Sequence, residues 1–326
     1  MQPESRAPAD VEATARIFEK VRTEVHKAVV GQDEVLELLL VGLIAGGHVL
    51  LEGVPGVAKT LMVRAMARSL SATFRRIQFT PDLMPSDVLG TRVFDLETRT
   101  FALTRGPVFT DILLADEVNR APPKTQSALL EAMQERSVTL DGEHHDLPPI
   151  FTVFATQNPI ESEGTYPLPE AQLDRFLFKV QVGYPTDAEE DRILELAHHG
   201  MALGDLDRVK IDSTVTVEEV LAAREALHAV EVRDVVRDYL RQLVAATRKA
   251  PEVRLGAGPR AAVHLLLCTK AVAALAGRDF VTPDDVRRLV PPTLAHRLLL
   301  TADAEVDGIQ PEEVLARILD EIEVPR

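Results

Sequence analysis

The chain has 326 residues, of which 46% are hydrophobic and 27% are charged, and its formal net charge at pH 7 is −15. This length and composition are typical of a soluble globular protein with about two domains. The longest apolar run, residues 38–45, is too short for a membrane helix, and the polar N-terminus has no signal-peptide core, so we expect a cytoplasmic protein without membrane insertion. The acidic balance argues against a nucleic-acid partner held by diffuse positive charge.

Helices and strands alternate along the first half of the predicted structure. Residues 11–28 and 33–45 have the apolar spacing of helices, and a glycine pair ends the second one. Five apolar runs predict β-strands with helices between them: residues 48–52, 74–79, 112–117, 150–155 and 176–182. Such alternation predicts an α/β fold built on a five-stranded parallel sheet.

Two inserts interrupt this alternation, and the C-terminal part has a different character. Residues 93–103 and 137–147 alternate in polarity and predict β-hairpins, the second around the turn Asp141-Gly142. Beyond residue 185 the pattern predicts helices only. A capping box at Thr216 and Glu219 begins one of them. The other candidates in this part are residues 233–249, 259–276, 283–289 and 311–322.

The turn after the first strand carries the main chemical signal. It ends in Lys-Thr ahead of a helix, which is the order of a phosphate-binding P-loop. Backbone N–H groups and the helix N-terminus would bind the phosphates, Lys59 would reach the β- and γ-phosphates, and the Thr60 hydroxyl would hold Mg²⁺. The predicted nucleotide-binding residues here are Gly53, Val54, Pro55, Gly56, Val57, Ala58, Lys59, Thr60 and Leu61. Ala58 replaces the last glycine of the general pattern, so a plain strand-turn-helix with a surface lysine remains an alternative.

An acidic pair ends the third predicted strand. Asp116 at the carboxyl end of a buried strand would hold the Mg²⁺ shell, and Glu117 would act as the general base on water. Acids can also simply end a strand in a solvated loop. The pair together with the upstream turn favours a nucleotide-hydrolysing site.

Three further polar residues are candidates for the same reaction. Asn158 follows the fourth strand, where an amide could contact the γ-phosphate or the attacking water; it could also be a turn residue before proline. Arg175 precedes the fifth strand and could reach a neighbour's γ-phosphate, or form a surface salt bridge. Arg260 lies in a first helical turn, where the helix dipole opposes a cation, so an anionic partner such as phosphate explains it better.

The chain closely resembles the AAA+ ATPases, and within them the MoxR family, over nearly all of residues 25–320. The most specific motif is the run of residues 163–176 that ends in Arg175-Phe176. The other segments that carry the resemblance are residues 30–32, 53–60, 115–121 (ADEVNRA), 155–159 and 256–261. Ala58 is the form that this family itself uses. One departure is Gly258, where the sensor 2 motif usually has serine.

The resemblance implies roles for these residues and an organisation for the chain. Val30 and Gln32 would lie near the adenine, Asn158 would be sensor 1, Arg175 the arginine finger and Arg260 sensor 2. The two hairpins would be the helix 2 insert and the pre-sensor 1 hairpin. The implied domains are an N-terminal helical segment (1–27), a nucleotide-binding core (28–185) and an all-helical lid (186–326). Asn119 and Arg120 also match the family; their chemistry assigns no role, and they could cap and anchor the following helix.

The function implied by the resemblance is Mg²⁺-dependent ATP hydrolysis by a homo-oligomeric ring, expected to be a hexamer that binds ATP or ADP. Such rings remodel or mature partner complexes, including by metal insertion, and the expected partners contain von Willebrand factor A (VWA) domains. A DNA-directed or chelatase-type motor remains an alternative. The acidic net charge of the chain argues against the DNA-directed form. A nucleotide-gated scaffold with little turnover is the other alternative, although such a scaffold needs neither Glu117 nor Arg175.

Overall fold

The computed structural model describes residues 11–95, 99–159, 164–200 and 206–325. Parts of several predicted features lie outside the described residues. They are residues 1–10 of the N-terminal segment, residues 96–98 of the first hairpin, Glu163 of the long motif, and residues 201–205 and 326 of the C-terminal domain.

A five-stranded parallel sheet lies at the centre of the first half, as predicted. The strands of the molecule are β1 (His48–Glu52), β2 (Phe74–Gln78), β3 (Gly90–Asp95), β4 (Thr100–Arg105), β5 (Ile112–Asp116), β6 (Ser137–Leu140), β7 (Glu143–Asp146), β8 (Thr152–Gln157), β9 (Phe176–Gln181), β10 (Val253–Leu255) and β11 (Leu299–Leu300). The central sheet has the order β2-β5-β8-β1-β9, with every neighbouring pair parallel. The carboxyl ends of β5, β8 and β1 are therefore adjacent.

Helices cover the sheet and make up most of the C-terminal part. They are α1 (Val11–Val25), α2 (Asp33–Ile44), α3 (Lys59–Ser69), α4 (Pro85–Leu89), α5 (Pro123–Glu135), α6 (Glu170–Leu173), α7 (Asp187–His198), α8 (Val217–Ala226), α9 (Asp234–Thr247), α10 (Pro259–Leu275), α11 (Pro283–Leu294), α12 (Ala302–Val306) and α13 (Pro311–Glu321). Short 3₁₀ helices lie at Val118–Arg120, Leu227–Ala229 and Ala295–Arg297. Within the described ranges, no helix has both the length and the apolar character needed to cross a membrane.

Both predicted hairpins form, as β3–β4 and β6–β7. Asp141 and Gly142 have φ values of 51° and 82°, as a two-residue hairpin turn requires. The C-terminal region is helical as predicted, except for the antiparallel ribbon β10–β11. That ribbon corrects the expectation of helices only, because strands of two and three residues are too short to leave a readable alternation.

Two boundaries differ from the predictions for physical reasons. β8 begins at Thr152 because the preceding residues form a turn, in which the Phe151 N–H donates to the Pro148 carbonyl at 2.8 Å. α11 continues to Leu294 through Pro291 and Pro292, although the prediction ended it at residue 289. Its apolar face stays buried to the end of the helix, and that packing outweighs the backbone hydrogen bonds that the prolines remove.

Alternating residues of the strands supply two cores on opposite faces of the sheet. Val49 and Leu51 of β1 pack with α1, α2, α3 and the C-terminal helices in one continuous cluster. Leu50 faces the other side and packs with apolar residues of α5, including Leu129 and Met133. The period of two along a strand produces this division.

Two partly exposed arginines, Arg224 and Arg288, join the C-terminal region to α2 and to the turn before β8. Arg224 of α8 donates to the Leu43 carbonyl at the end of α2, from Nε at 3.0 Å and from Nη2 at 2.8 Å, and to the Pro149 carbonyl at 2.8 Å. Arg288 of α11 forms a two-pronged ion pair with Glu37 at 2.8 and 2.6 Å. Carbonyl acceptors at the end of α2 and a fork-shaped carboxylate contact both suit the guanidinium.

Two buried histidines, His48 and His296, and the half-buried His264 are held neutral by the fold. The Nδ1 atom of His48 accepts the Val153 N–H at 2.9 Å, so its Nε2 donates to the Met133 carbonyl at 3.0 Å. Burial lowers the pKa of His48 to about 3 and that of His264 to about 4. Burial also lowers the pKa of His296 well below its ordinary value.

We expect these histidines to make stability fall on the acidic side of neutrality. Below pH about 6.5 the unfolded chain binds protons on them that the folded chain does not, so each should cost about 2 kcal/mol between pH 7 and pH 5. Urea unfolding at pH 7, 6 and 5 measures this loss. His48→Gln should remove the contribution of this residue, about 2 kcal/mol over the range. A free energy of unfolding that is flat over this range would contradict the account.

Candidate functional site

The loop between β1 and α3 has the backbone geometry of an anion-binding turn. A Cβ on Gly53 would lie 2.4 Å from the Val182 carbonyl oxygen, so this close approach needs glycine. Gly56 has a φ of 90°, and α3 begins at Lys59. Ala58 has a φ of 63°, a left-handed conformation that costs alanine about 1 kcal/mol. The loop thus adopts at Ala58 the conformation for which the general motif uses glycine.

Lys59 and Thr60 extend from the first turn of α3 toward this loop and the neighbouring strand. The Lys59 Nζ donates to the carbonyls of Gly53 and Val54, the latter at 3.2 Å. Burial lowers the pKa of Lys59, while the nearby Asp116 and other acids raise it. The Thr60 hydroxyl donates to Asp116 Oδ2 at 3.2 Å. The structure therefore brings together the lysine, the hydroxyl and the first acid of the predicted site.

The acidic pair at the end of β5 is fixed by its neighbours on β8 and β2. The Thr156 hydroxyl donates to Asp116 Oδ1 at 2.6 Å and accepts the Glu117 N–H at 2.9 Å. Glu117 Oε2 accepts hydrogen bonds from Gln78 Nε2 at 2.8 Å and from Arg120 Nη1 at 3.0 Å. Arg120, which the sequence left without a role, thus contacts the second acid.

Asn158 directly follows β8, which lies between β5 and β1 in the sheet, and it is buried. Its amide is therefore on the same edge as the loop and the acids. Asn119 is also buried; its carbonyl accepts the Tyr166 N–H at 2.6 Å, and its Oδ1 has no hydrogen-bond partner among the described residues. This backbone contact joins Asn119 to the segment around Tyr166, and a role of Asn119 at the start of α5, whose N-cap residue is Pro122, stays a prediction.

Residues 30–32 adjoin the same edge of the sheet. Gln32 has a φ of 60°, and its amide donates to the Gly183 carbonyl, just beyond β9, at 3.2 Å. Gly31 packs against the Glu189 carboxylate, which a Cβ would meet at 1.7 Å. Val30 and Gln32 are thus joined to the connection between the sheet and α7, next to the strand that carries the loop.

The structure separates Arg175 and Arg260 from this cluster. Arg175 precedes β9, in which Phe176 pairs with His48 and Gln181 pairs with Glu52. The parallel strands therefore put Arg175 at the amino edge and the loop at the carboxyl edge. At about 3.3 Å per residue, the five residues of β1 correspond to a separation on the order of 16 Å. Arg175 cannot reach the loop of its own chain.

Arg260 lies beside Arg175 in this arrangement. Its Nη1 is 3.7 Å from Asp174 Oδ2, and its side chain is half exposed. Arg175 donates from Nε to Gln134 Oε1 at 3.0 Å. Gly258 is the N-cap residue of α10 without a side-chain cap, and a Cβ there would meet nothing within 4 Å. A serine would therefore fit at Gly258.

The peptide around Arg175 is held by a buried arginine of the C-terminal region. Arg297 has a side chain that is only 2% exposed, and it donates to Asp174 Oδ1 at 2.8 Å and to the Phe176 carbonyl at 2.7 Å. Its Nη2 also donates to His264 Nδ1 at 2.8 Å, which the neutral imidazole can accept. Movements of the C-terminal region would therefore carry the Arg175 segment with them.

Sequence reasoning missed four residues that contact these two clusters: Arg76, Gln78, Thr156 and Arg297. Alternation along β2 puts Arg76 and Gln78 on one face. That signal became useful only once the sheet order made β2 the neighbour of β5. Arg297 lies in a 3₁₀ turn, where no periodic pattern marks its burial.

The carboxyl-edge cluster fits a magnesium-bound nucleoside polyphosphate. Hydroxyl and carboxylate oxygens are the protein ligands that Mg²⁺ takes, and here Thr60 and Asp116 lie within contact distance of each other. The loop amides, the N-terminus of α3 and Lys59 supply positive potential for phosphates. Glu117, held by Gln78 and Arg120, is the second carboxylate next to them. The two arginines that contact this cluster, Arg76 and Arg120, are paired with Asp116 and Glu117, whereas Arg175 and Arg260 lie at the opposite edge.

The comparisons with known proteins agree with this geometry. Residues 48–178 match the model of the ATPase family associated with various cellular activities (AAA), and residues 245–318 match the AAA lid domain. The chain is 46% identical to Chaperone MoxR1 of Mycobacterium tuberculosis, over 96% of this chain and 84% of that one. It is 34% identical to Protein MoxR of Methylorubrum extorquens, over 89% and 88% of the two chains.

A solved structure has the same fold. The crystal structure of a candidate ATPase from Cytophaga hutchinsonii superposes with a TM-score of 0.89 at 39% identity, over 97% of both chains. With the two MoxR relatives and the two family models, this similarity covers both the sheet and the helical region. The chain belongs to the MoxR family of AAA+ ATPases.

Proposed function

We propose that this protein hydrolyses ATP in a Mg²⁺-dependent site that two subunits share. The observation that carries the proposal is the position of Arg175 and Arg260 at the amino edge of the sheet, opposite the P-loop of the same chain. A neighbouring subunit that presents its amino edge to this P-loop would supply the missing arginines. A site divided in this way makes hydrolysis depend on assembly.

Within one subunit, the carboxyl-edge residues bind and orient the reactants. Lys59 leaves the carbonyls of Gly53 and Val54 and contacts the β- and γ-phosphates. Thr60 and Asp116 would hold Mg²⁺, which would neutralise negative charge on the phosphates. Loop amides from Gly53 to Thr60 and the first turn through Leu61 bind the phosphate oxygens, and Val30 and Gln32 adjoin the base.

The remaining residues act on water and on the transferred phosphoryl group. Glu117 accepts a proton from the attacking water, and Asn158 orients that water or the γ-phosphate. Arg175 of the adjacent subunit stabilises the charge that develops on the phosphoryl oxygens, and Arg260 adds a second positive charge beside it.

The proposal also covers the oligomeric state, the domain organisation and the action on client proteins. We infer a homo-oligomer, with six subunits as the expected number, in which residues 28–185 are the nucleotide-binding core, residues 186–326 the lid and residues 1–27 an N-terminal segment. The name of the relative Chaperone MoxR1 supports a chaperone role. We infer that this role is the remodelling or maturation of client complexes in the cytoplasm. Clients or adaptors with VWA domains, and metal insertion into them, are the partner class that we propose.

The dependence of ATPase activity on protein concentration tests the shared site. Specific activity should rise steeply over the concentration range in which the mass in solution shifts from monomer to ring. The cause is that Arg175 and Arg260 of a lone chain lie at the edge of the sheet opposite its own P-loop. The mass is followed in parallel with and without ATP. A specific activity that stays constant while the protein is monomeric would rule out the shared site.

A further inference from the structure

Arg76 of β2 contacts the acid that is expected to hold the metal. Its Nε and Nη2 atoms donate to Asp116 Oδ2 at 3.0 and 2.7 Å. The same Nη2 donates to Gln78 Oε1, two residues along the strand, at 2.9 Å. The Arg76 side chain is 48% exposed, so the guanidinium can move into solvent without crossing the core.

One oxygen of the Asp116 carboxylate, Oδ2, accepts three hydrogen bonds. Thr156 donates to Oδ1, while Thr60 and two N–H groups of Arg76 donate to Oδ2. Each carboxylate oxygen has about two lone-pair positions, so Oδ2, the oxygen that Thr60 contacts, has none left for a metal ion or for a water molecule of its shell. The guanidinium therefore lies where a metal ion held by Thr60 and Asp116 would have its water ligands.

Gln78 connects this contact to the second acid. Its amide oxygen accepts from Arg76, and its amide nitrogen donates to Glu117 Oε2 at 2.8 Å. A continuous path of hydrogen bonds thus joins Asp116, Arg76, Gln78 and Glu117. If Arg76 leaves Asp116, Gln78 loses the partner that fixes its amide orientation, and its hold on Glu117 weakens.

We propose that Arg76 takes the place of Mg²⁺ at Asp116 in the nucleotide-free chain, and that its displacement by the metal loosens the Gln78 contact to Glu117. Arg76 is then a positioning residue that makes the general base available only when the metal is bound. This inference rests on the proposed function, in which Thr60 and Asp116 hold the metal.

The test is the Mg²⁺ concentration that half-saturates tight binding of a fluorescent ADP analogue, which requires no hydrolysis. Arg76→Gln removes the competing cation, so we expect this concentration to fall about tenfold relative to the unaltered chain. Gln78→Ala removes only the support of the guanidinium, so the fall should be about twofold. Arg75→Ala is the matched control, because alternation puts this exposed arginine on the other face of the same strand; it should change nothing.

Arg76→Lys separates displacement from simple charge repulsion. Lysine keeps the charge but cannot present two N–H groups in the fixed fork of arginine, so we expect a fall of about threefold. The inference would be overturned if Arg76→Lys had the same Mg²⁺ requirement as the unaltered chain. It would also be overturned if Arg76→Gln had an unchanged or higher Mg²⁺ requirement. A Gln78→Ala chain with an unchanged Mg²⁺ requirement would overturn the proposed coupling through Gln78. An unaltered chain that binds nucleotide without any response to Mg²⁺ would instead refute the proposed function, and the inference with it.

Discussion

Replacing Arg175 with alanine is expected to lower the kcat of the assembled ring about 1,000-fold, the low end of the range for arginine fingers. The reason is positional: Arg175 lies at the amino edge of the sheet, away from its own P-loop, and in the proposed shared site it acts on the nucleotide of the adjacent subunit. Within the described residues its side chain donates one hydrogen bond, to Gln134 at 3.0 Å, so the fold should tolerate the change. Steady-state ATPase assays on rings of verified mass measure the effect.

The control for Arg175 is Arg237→Ala, which removes an exposed arginine paired with Asp234 on the surface of α9. It should leave the rate within about twofold, because exposed ion pairs contribute little. Nucleotide affinity should change far less than kcat in Arg175→Ala. Normal turnover by an assembled Arg175→Ala ring would remove the arginine finger from the account.

Replacing Glu117 with glutamine is expected to reduce hydrolysis at least about 100-fold while nucleotide binding persists. Glutamine has nearly the shape of glutamate, and its amide oxygen can still accept from Gln78 and Arg120, but it cannot take a proton from water. Single-turnover hydrolysis and equilibrium binding of a fluorescent nucleotide, measured on the same samples, separate the two effects.

A matched change at an exposed carboxylate, Glu225→Gln on α8, should leave both quantities unaltered. If Glu117→Gln hydrolyses ATP at the normal rate, Glu117 is not the general base. If it loses binding to the same extent as turnover, its role is to hold the site together. With either result, another polar group at the carboxyl edge of the sheet would have to be the general base.

Much of the fold could be predicted because its signals are local. The strand at residues 48–52 has the predicted bounds, and Thr216 caps α8 through the predicted box, accepting the Glu219 N–H. Three helices begin at prolines 259, 283 and 311, and these starts also follow from local chemistry. In contrast, α11 passes through two prolines because distant core residues pack against it, and no local pattern reports such packing.

The site was predictable in part, and the rest depended on strand order. Lys59, Thr60 and Asp116 come together as expected because β1 and β5 both end at the same edge of the sheet. The contact of Arg76 with Asp116 required β2 to neighbour β5, which periodicity does not reveal. The position of Arg260 beside Asp174 depends on how the C-terminal region folds back onto the sheet.

The most direct test of the shared site is to mix two inactive variants. Glu117→Gln chains keep Arg175, and Arg175→Ala chains keep Glu117, so a mixed ring contains some interfaces where both intact residues meet. Random assembly of equal amounts should make about a quarter of the interfaces complete and restore about a quarter of the unaltered rate, if the sites act independently. Recovery of this size after the rings are dissociated and reassembled together is the predicted result. No recovery from mixed rings of verified composition would contradict a site built from two subunits.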